Sequence, residues 1–215
     1  MRRRPVLLAA AASLAACSTP PPRVYTLRSV PGPVLSGTPP GLLMRTVQLP
    51  KYLDRPQIVR SDGQVGLTLY ELDRWGEPLA DLTTRVLGSN LASRMPGTAV
   101  LSETSVAAPS AAFLLEVTLT RFDAEPDGTV LLYGQFAILP PGSGAVPLLR
   151  QVRIPEPAPA NDPAALATSM GTALGRLADA IAETLTVPAA AVSAAPTPAP
   201  PVGTRSSRRS AAARR

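Results

Sequence analysis

The sequence predicts an α+β domain: an antiparallel-rich sheet with two helices packed on one face, in the order βββ(β)-α-ββββ-α. Three observations carry this. Val65–Leu72 and Phe113–Phe122 alternate apolar and polar residues, the period of half-buried strands. Pro126-Asp127-Gly128 separates the second run from another β-rich stretch, the mark of a tight hairpin. After Pro78 and again after Asp162, large apolar residues recur at steps of three and four, the period of a helix with one buried face. Strands, helix, strands, helix in that order place both helices on one side of a sheet.

The chain opens with Met1-Arg2-Arg3-Arg4, an apolar run from Val6 to Leu14, and Leu14-Ala15-Ala16-Cys17. A basic start, a short apolar run and small residues at a cut describe a secretory signal over 1–16. The run falls short of the about 20 apolar residues that span a bilayer. Leu-Ala-Ala-Cys resembles the bacterial lipobox, in which the cysteine is acylated and becomes the first residue of the mature protein. Cys17 is the only cysteine, so no disulfide forms within the molecule. Its acyl chains are the expected membrane anchor. Ser18 follows in place of Asp, which by resemblance to enterobacterial sorting sends the protein to the outer membrane. Pro20-Pro21-Pro22 completes a stalk over 17–22 that is expected to lift the domain off the bilayer.

The domain is expected over 23–187. Val24–Leu27, Leu42–Leu49 and Gln57–Arg60 are rich in β-formers. Pro50 and Pro56 bound a loop between the last two. In Val65–Leu72, Val65, Leu67 and Leu69 share one face and Thr68 and Tyr70 the other. Pro78 suits the first position of a helix, with Glu77 as its cap. Leu79, Leu82, Val86, Leu91 and Met95 are its apolar stripe, and Asp81, Arg85, Asn90 and Arg94 its polar face. Thr98–Glu103, Phe113–Phe122, Thr129–Leu139 and Leu148–Ile154 follow as strands, with Phe113, Leu115, Val117 and Leu119 inward. Asp162 caps and Pro163 opens the second helix. Its stripe is Leu166, Met170, Leu174, Leu177, Ile181 and Leu185, with Gly171 and Gly175 four apart where a neighbour approaches closely. The Pro/Ala-rich stretch from 188 is a solvated tail ending in an arginine cluster, Arg205 to Arg215. That cluster either stays in solvent or touches anionic headgroups or cell wall.

The chain's net charge of +6 misleads. Three arginines lie in the signal and five in the tail, which leaves 13 basic against 15 acidic side chains in the body, a net −2. A nucleic-acid-binding body would carry a basic face, so nucleic acid is not an expected partner. There is no histidine, which removes the usual general base and the commonest metal ligand. Lys51 is the sole lysine and has no setting for a Ser–Lys dyad. The carboxylates Asp54, Asp62, Glu71, Asp73 and Glu77 suit glycoside hydrolysis only if paired across a site. Arg55, Arg60 and Arg74 lie among them, so surface ion pairs are the simpler account. No cofactor, metal or catalytic residue is expected.

Val47-Gln48-Leu49-Pro50-Lys51-Tyr52-Leu53-Asp54-Arg55-Pro56-Gln57-Ile58-Val59, followed by Tyr70-Glu71-Leu72-Asp73-Arg74-Trp75-Gly76-Glu77-Pro78-Leu79, resembles the ABC-type transport auxiliary lipoproteins, the PqiC-like family. The lipobox followed closely by Tyr25-Thr26-Leu27 is similar to that family's start. The resemblance runs from Cys17 to about Val187 and leaves the tail outside it. It implies a component of a system that moves lipid between membranes, docking on an MCE-domain protein. A second copy of the chain is a further candidate partner. The residues expected at the partner surface are Tyr52, Leu53, Asp54, Arg55, Gln57 and Trp75, since Tyr, Trp and Arg are enriched at interface hot spots. Replacing Tyr52 and Arg55 together with Ala is expected to weaken partner capture and leave folding intact. The competing readings are a structural lipoprotein tying the outer membrane to the wall, and a carboxylate-dependent envelope hydrolase.

Overall fold

The computed structural model describes residues 20–107, 113–141 and 145–186. The expected signal, Cys17, most of the expected turn at 141–144, and the expected tail from 188 lie outside the described residues.

Eight strands form one mixed sheet. They are β1 (Arg23–Tyr25), β2 (Gly41–Met44), β3 (Gln57–Ser61), β4 (Leu67–Trp75), β5 (Ala99–Ser102), β6 (Phe113–Ala124), β7 (Val130–Leu139) and β8 (Leu148–Glu156). Helix α1 (Leu79–Arg94) follows β4, and α2 (Pro163–Thr186) closes the domain. The α+β class and the element order are as predicted. The long ladders, β3–β4, β6–β7 and β7–β8, are antiparallel. Four short parallel pairings, β1–β4, β2–β5, β2–β6 and β3–β6, make the sheet mixed.

β6 is the hub. β7 pairs along one of its edges through the turn at Asp127-Gly128, where Gly128 holds φ +92°, a left-handed conformation that glycine adopts without penalty. The other edge of β6 is shared: β2 pairs with its start, Gln48 bridges to Thr118, and β3 meets its end at Ala124. β2 and β3 both run parallel to β6, so the chain between them need not cross the sheet. It bulges from the edge as residues 45–56, with one 3₁₀ turn at Lys51–Leu53. Pro50 and Pro56 have no N–H for a ladder, which keeps this stretch out of the sheet. A register shift between Leu119 and Arg121 resets the alternation of β6. Leu119, Phe122 and Ala124 therefore all point into the core, and Arg121 and Asp123 share the opposite side.

The apolar stripes of both helices are buried as predicted, from Leu79 to Met95 and from Leu166 to Leu185. Asp162 caps α2, its Oδ1 accepting from the N–H groups of Ala164 and Ala165 at 2.9 and 3.1 Å. Pro78 is the residue before α1 and not its first helical position, and Glu77 pairs with Arg85 at 2.6 Å in place of capping the helix. The predicted polar face of α1 is half wrong. Asn90 and Arg94 are 0 % and 1 % exposed, because a strap of chain, residues 28–36, lies across both helices. Asn90 Oδ1 accepts from Val30 N at 2.9 Å, and Arg94 Nη1 donates to Val30 O at 3.1 Å and to Asn90 O at 3.2 Å. The neighbour that requires Gly171 is this strap as well: a Cβ there would lie 2.8 Å from Arg28 O. β4 also departs from expectation. Val65 precedes it and Leu67 is exposed, and its buried residues are Asp73 and Trp75 at its far end. Its first half projects beyond β1, which covers only Asp73–Trp75.

Candidate functional site

The loop at 50–56 is held from below and open above. Leu53 is 3 % exposed and packs into the core. Tyr52 is half-buried, and its hydroxyl donates to Asp123 Oδ2 at 3.1 Å. Arg121 donates to the other oxygen of Asp123 from Nη2 at 2.8 Å and from Nε at 3.1 Å, and reaches Glu125 with Nη1. Burial pushes the Tyr52 hydroxyl far above its ordinary value, and the Asp123 carboxylate beside it adds to that. Burial likewise raises Asp123, against the pull of Arg121 and Tyr52. A charge-assisted network of this kind is expensive to leave partly satisfied, so the loop is fastened to β6 through it.

On top of that fastening the loop presents Lys51, Asp54 and Arg55, all exposed. Lys51 Nζ lies 3.8 Å from Asp54 Oδ2, a surface pair worth little. A hollow of about 140 Å³ lies beside them, lined by Thr46, Gln48, Lys51, Asp54, Leu79 and Ala80 among others. Gln57 opens β3 and is partly buried, in register with Arg74. Trp75 is 7 % exposed. Its backbone N–H donates to Pro56 O at 2.7 Å, which ties the end of the loop to β4. Of the six residues expected at a partner surface, the structure therefore exposes Asp54 and Arg55, half-exposes Tyr52 and Gln57, and buries Leu53 and Trp75. Replacing Tyr52 cannot be neutral for the fold, since it strips a hydrogen bond from a buried carboxylate.

The carboxylates named from sequence are dispersed. Asp54 pairs with Lys51, Asp73 with Arg23 at 2.7 Å, and Glu77 with Arg85. Asp62 accepts from the N–H groups of Gln64 and Gly66 within its own turn, at 2.8 and 2.9 Å. Their partners are Lys51, Arg23, Arg85 and local backbone, not the adjacent Arg55 and Arg74. Arg60 instead donates to Asn161 at 2.6 Å and lies 5.9 Å from the Tyr70 ring centre. Among the described residues, no group of three or more His, Cys, Asp or Glu side chains is placed to hold a metal ion. No helix among them is long and apolar enough to cross a membrane.

A larger cleft, about 510 Å³, separates the strap from the first half of α2 and is lined by Val24, Tyr25, Arg28, Val30, Ala167 and Gly171 among others. Sequence reasoning did not locate it. The small residues Ala164, Ala167 and Gly171 were its trace, but only the tertiary path of the strap makes a cleft of them.

Comparison with known proteins places this architecture. The sequence model for the ABC-type transport auxiliary lipoprotein component matches residues 25–182. No curated protein sequence is similar enough to count as a match. Among solved structures, one described as an uncharacterized protein is 20% identical with a TM-score of 0.63, covering 77% of this chain and 99% of its own. A DUF330 protein from Xanthomonas campestris is 17% identical with a TM-score of 0.61, covering 75% of this chain and 94% of its own. At such identities these two share the fold alone. With the sequence model matched over most of its length, the chain belongs to the ABC-type transport auxiliary lipoproteins, a family of transport components and not of enzymes.

Proposed function

We propose that the protein is the outer-membrane component of an ABC-type system that moves lipid between membranes, acting by docking an MCE-domain partner in the periplasm. Cys17, acylated after removal of residues 1–16, is its anchor. The docking surface is the loop at 50–56, with Arg55 and Asp54 as its polar contacts. The observation that supports this reading is the loop's construction: exposed charged residues stand on a base pinned by Leu53 and by the Tyr52–Asp123 hydrogen bond. A surface held in one geometry loses little conformational entropy on binding. The inventory supports a binding role over a catalytic one, since Asp54, Asp73 and Glu77 each pair with a different basic residue.

The test is Arg55→Glu in cells, with crosslinking and identification of the captured partner. Arg55 is exposed and forms no ion pair among the described residues, so the variant is expected to fold and fractionate as the wild type. Capture of the MCE-domain protein is expected to fall strongly. Undiminished capture would remove the loop from the interface, and failure of the wild-type protein to capture any MCE-domain protein would remove the partner.

A further inference from the structure

We propose that the tip of the β3–β4 hairpin, residues 62–66 with Val65 at its apex, rests on the surface of the bilayer to which Cys17 is anchored. The inference builds on the anchored reading above and concerns how the body stands on the membrane.

The argument is one of reach. β1 runs parallel to β4, with Arg23 opposite Asp73. The chain before Arg23 therefore leaves toward the end of β4 where the hairpin turns. Cys17 lies six positions before Arg23, and Leu67 lies six positions before Asp73. An extended chain spans at most about 3.3–3.6 Å per residue, and a strand rises about 3.2–3.4 Å. Both distances are therefore about 20 Å. Pro20-Pro21-Pro22 favours the polyproline conformation, which covers only about 3.1 Å per residue. A stalk at full stretch thus brings Cys17 about level with Leu67, and the turn at 62–66 extends past Leu67. On this reading the stalk does not lift the hairpin tip clear of the bilayer, because the tip reaches as far as a stalk of six residues can span.

The tip suits an interfacial position. Val65 is 100 % exposed and Leu67 45 %. The polar backbone of the turn is largely closed on itself: Asp62 N–H donates to Gly66 O at 3.0 Å, Gly63 N–H to Ser61 Oγ at 3.0 Å, and Gln64 and Gly66 N–H to Asp62 Oδ1. Groups already hydrogen-bonded lose little when water is displaced. Gly63, at φ +81°, makes the sharp turn possible. The β6–β7 turn backs it, since a Cβ on Gly63 would lie 3.1 Å from Pro126 Cγ. Residues 62–66 hold one acidic and no basic side chain, so the contact is apolar and needs no anionic lipid.

The experiment uses the full acylated protein in phosphatidylcholine vesicles. Val65→Cys carries an environment-sensitive fluorophore, and with Cys17 acylated it is the sole free thiol. Val146→Cys, 81 % exposed in the connection from β7 to β8 at the opposite end of the sheet, carries the same label in a second sample. Nitroxide-bearing lipid is expected to quench the label at 65 several-fold more strongly than at 146, equally in low and high salt. Equal, weak quenching at both positions in protein that floats with the vesicles overturns the proposal. Protein that carries no acyl chain by mass and does not float overturns the anchored reading, and the proposal with it.

Discussion

Arg94 and Asp179 test how the strap and the two helices are held together. Arg94 Nε donates to Asp179 Oδ1 at 2.5 Å. The pair is asymmetric: the Arg94 side chain is 2 % exposed and that of Asp179 31 %. Asp179→Ala leaves a guanidinium in the core with two carbonyl acceptors and no counter-charge. Stranding one partner of a buried ion pair costs about 3–5 kcal/mol. Arg94→Met fills much of the same volume and strands less. The Asp179 carboxylate is within reach of water, and the carbonyls of Val30 and Asn90 each lose one donor at about 0.5–1.5 kcal/mol. The expected loss is about 2 kcal/mol. Urea unfolding of the purified variants, compared by midpoint at constant slope, measures both. If Arg94→Met proves at least as destabilising as Asp179→Ala, burial asymmetry does not govern the pair and the reasoning is refuted.

The strap is expected to respond to the α2 glycines in a fixed order. Alanine at 171 sets a Cβ 2.8 Å from the backbone oxygen of Arg28, whereas at 175 the nearest atom is Val30 Cγ2, also at 2.8 Å but on a side chain. Helix propensity favours Ala over Gly by about 1 kcal/mol at both sites, so Gly171→Ala is expected to lower the thermal midpoint and Gly175→Ala to change it less; the reverse order would contradict the close approach of the strap backbone. Tyr52→Phe is expected to cost about 1 kcal/mol near neutral pH by removing the bond to Asp123, read from the urea midpoint. Its effect on pH dependence has a defined sign. The Tyr52 hydroxyl is raised well above its ordinary value of 10.0, so above about pH 10 the unfolded chain ionises first and wild-type stability falls as pH rises. The stability difference between wild type and Tyr52→Phe should therefore shrink above pH 10, and a difference that grows would show that the hydroxyl is not held protonated in the fold.

Local signals carried the elements. The hairpin at Asp127-Gly128, the Asp162 cap and the two apolar stripes depend on residues within a few positions of one another, and all stand where the sequence put them. What failed were statements about which side of an element meets water. Asn90 and Arg94 are polar residues on the flank of an amphipathic helix, and nothing in that helix foretells a strap arriving from residues 28–36. Val65 and Leu67 continue a perfect alternation, yet they protrude because β1 is too short to cover them. The loop at 50–56 was legible as a loop from its two prolines, but its fastening to Asp123 was not, because that residue lies 71 positions away.

The sequence by itself determined the class of the fold, the order and approximate bounds of its elements, and the family, since periodicity, caps, turn residues and a contiguous motif are all short-range properties. Only the tertiary structure decided that β2 and β3 share one edge of β6, that Arg94 is a core residue, and that β1 pairs only with the far end of β4, leaving the β3–β4 hairpin to project beyond it. Each of these is set by pairing between distant segments, where register and chain length jointly fix which groups meet, and no local pattern records that outcome.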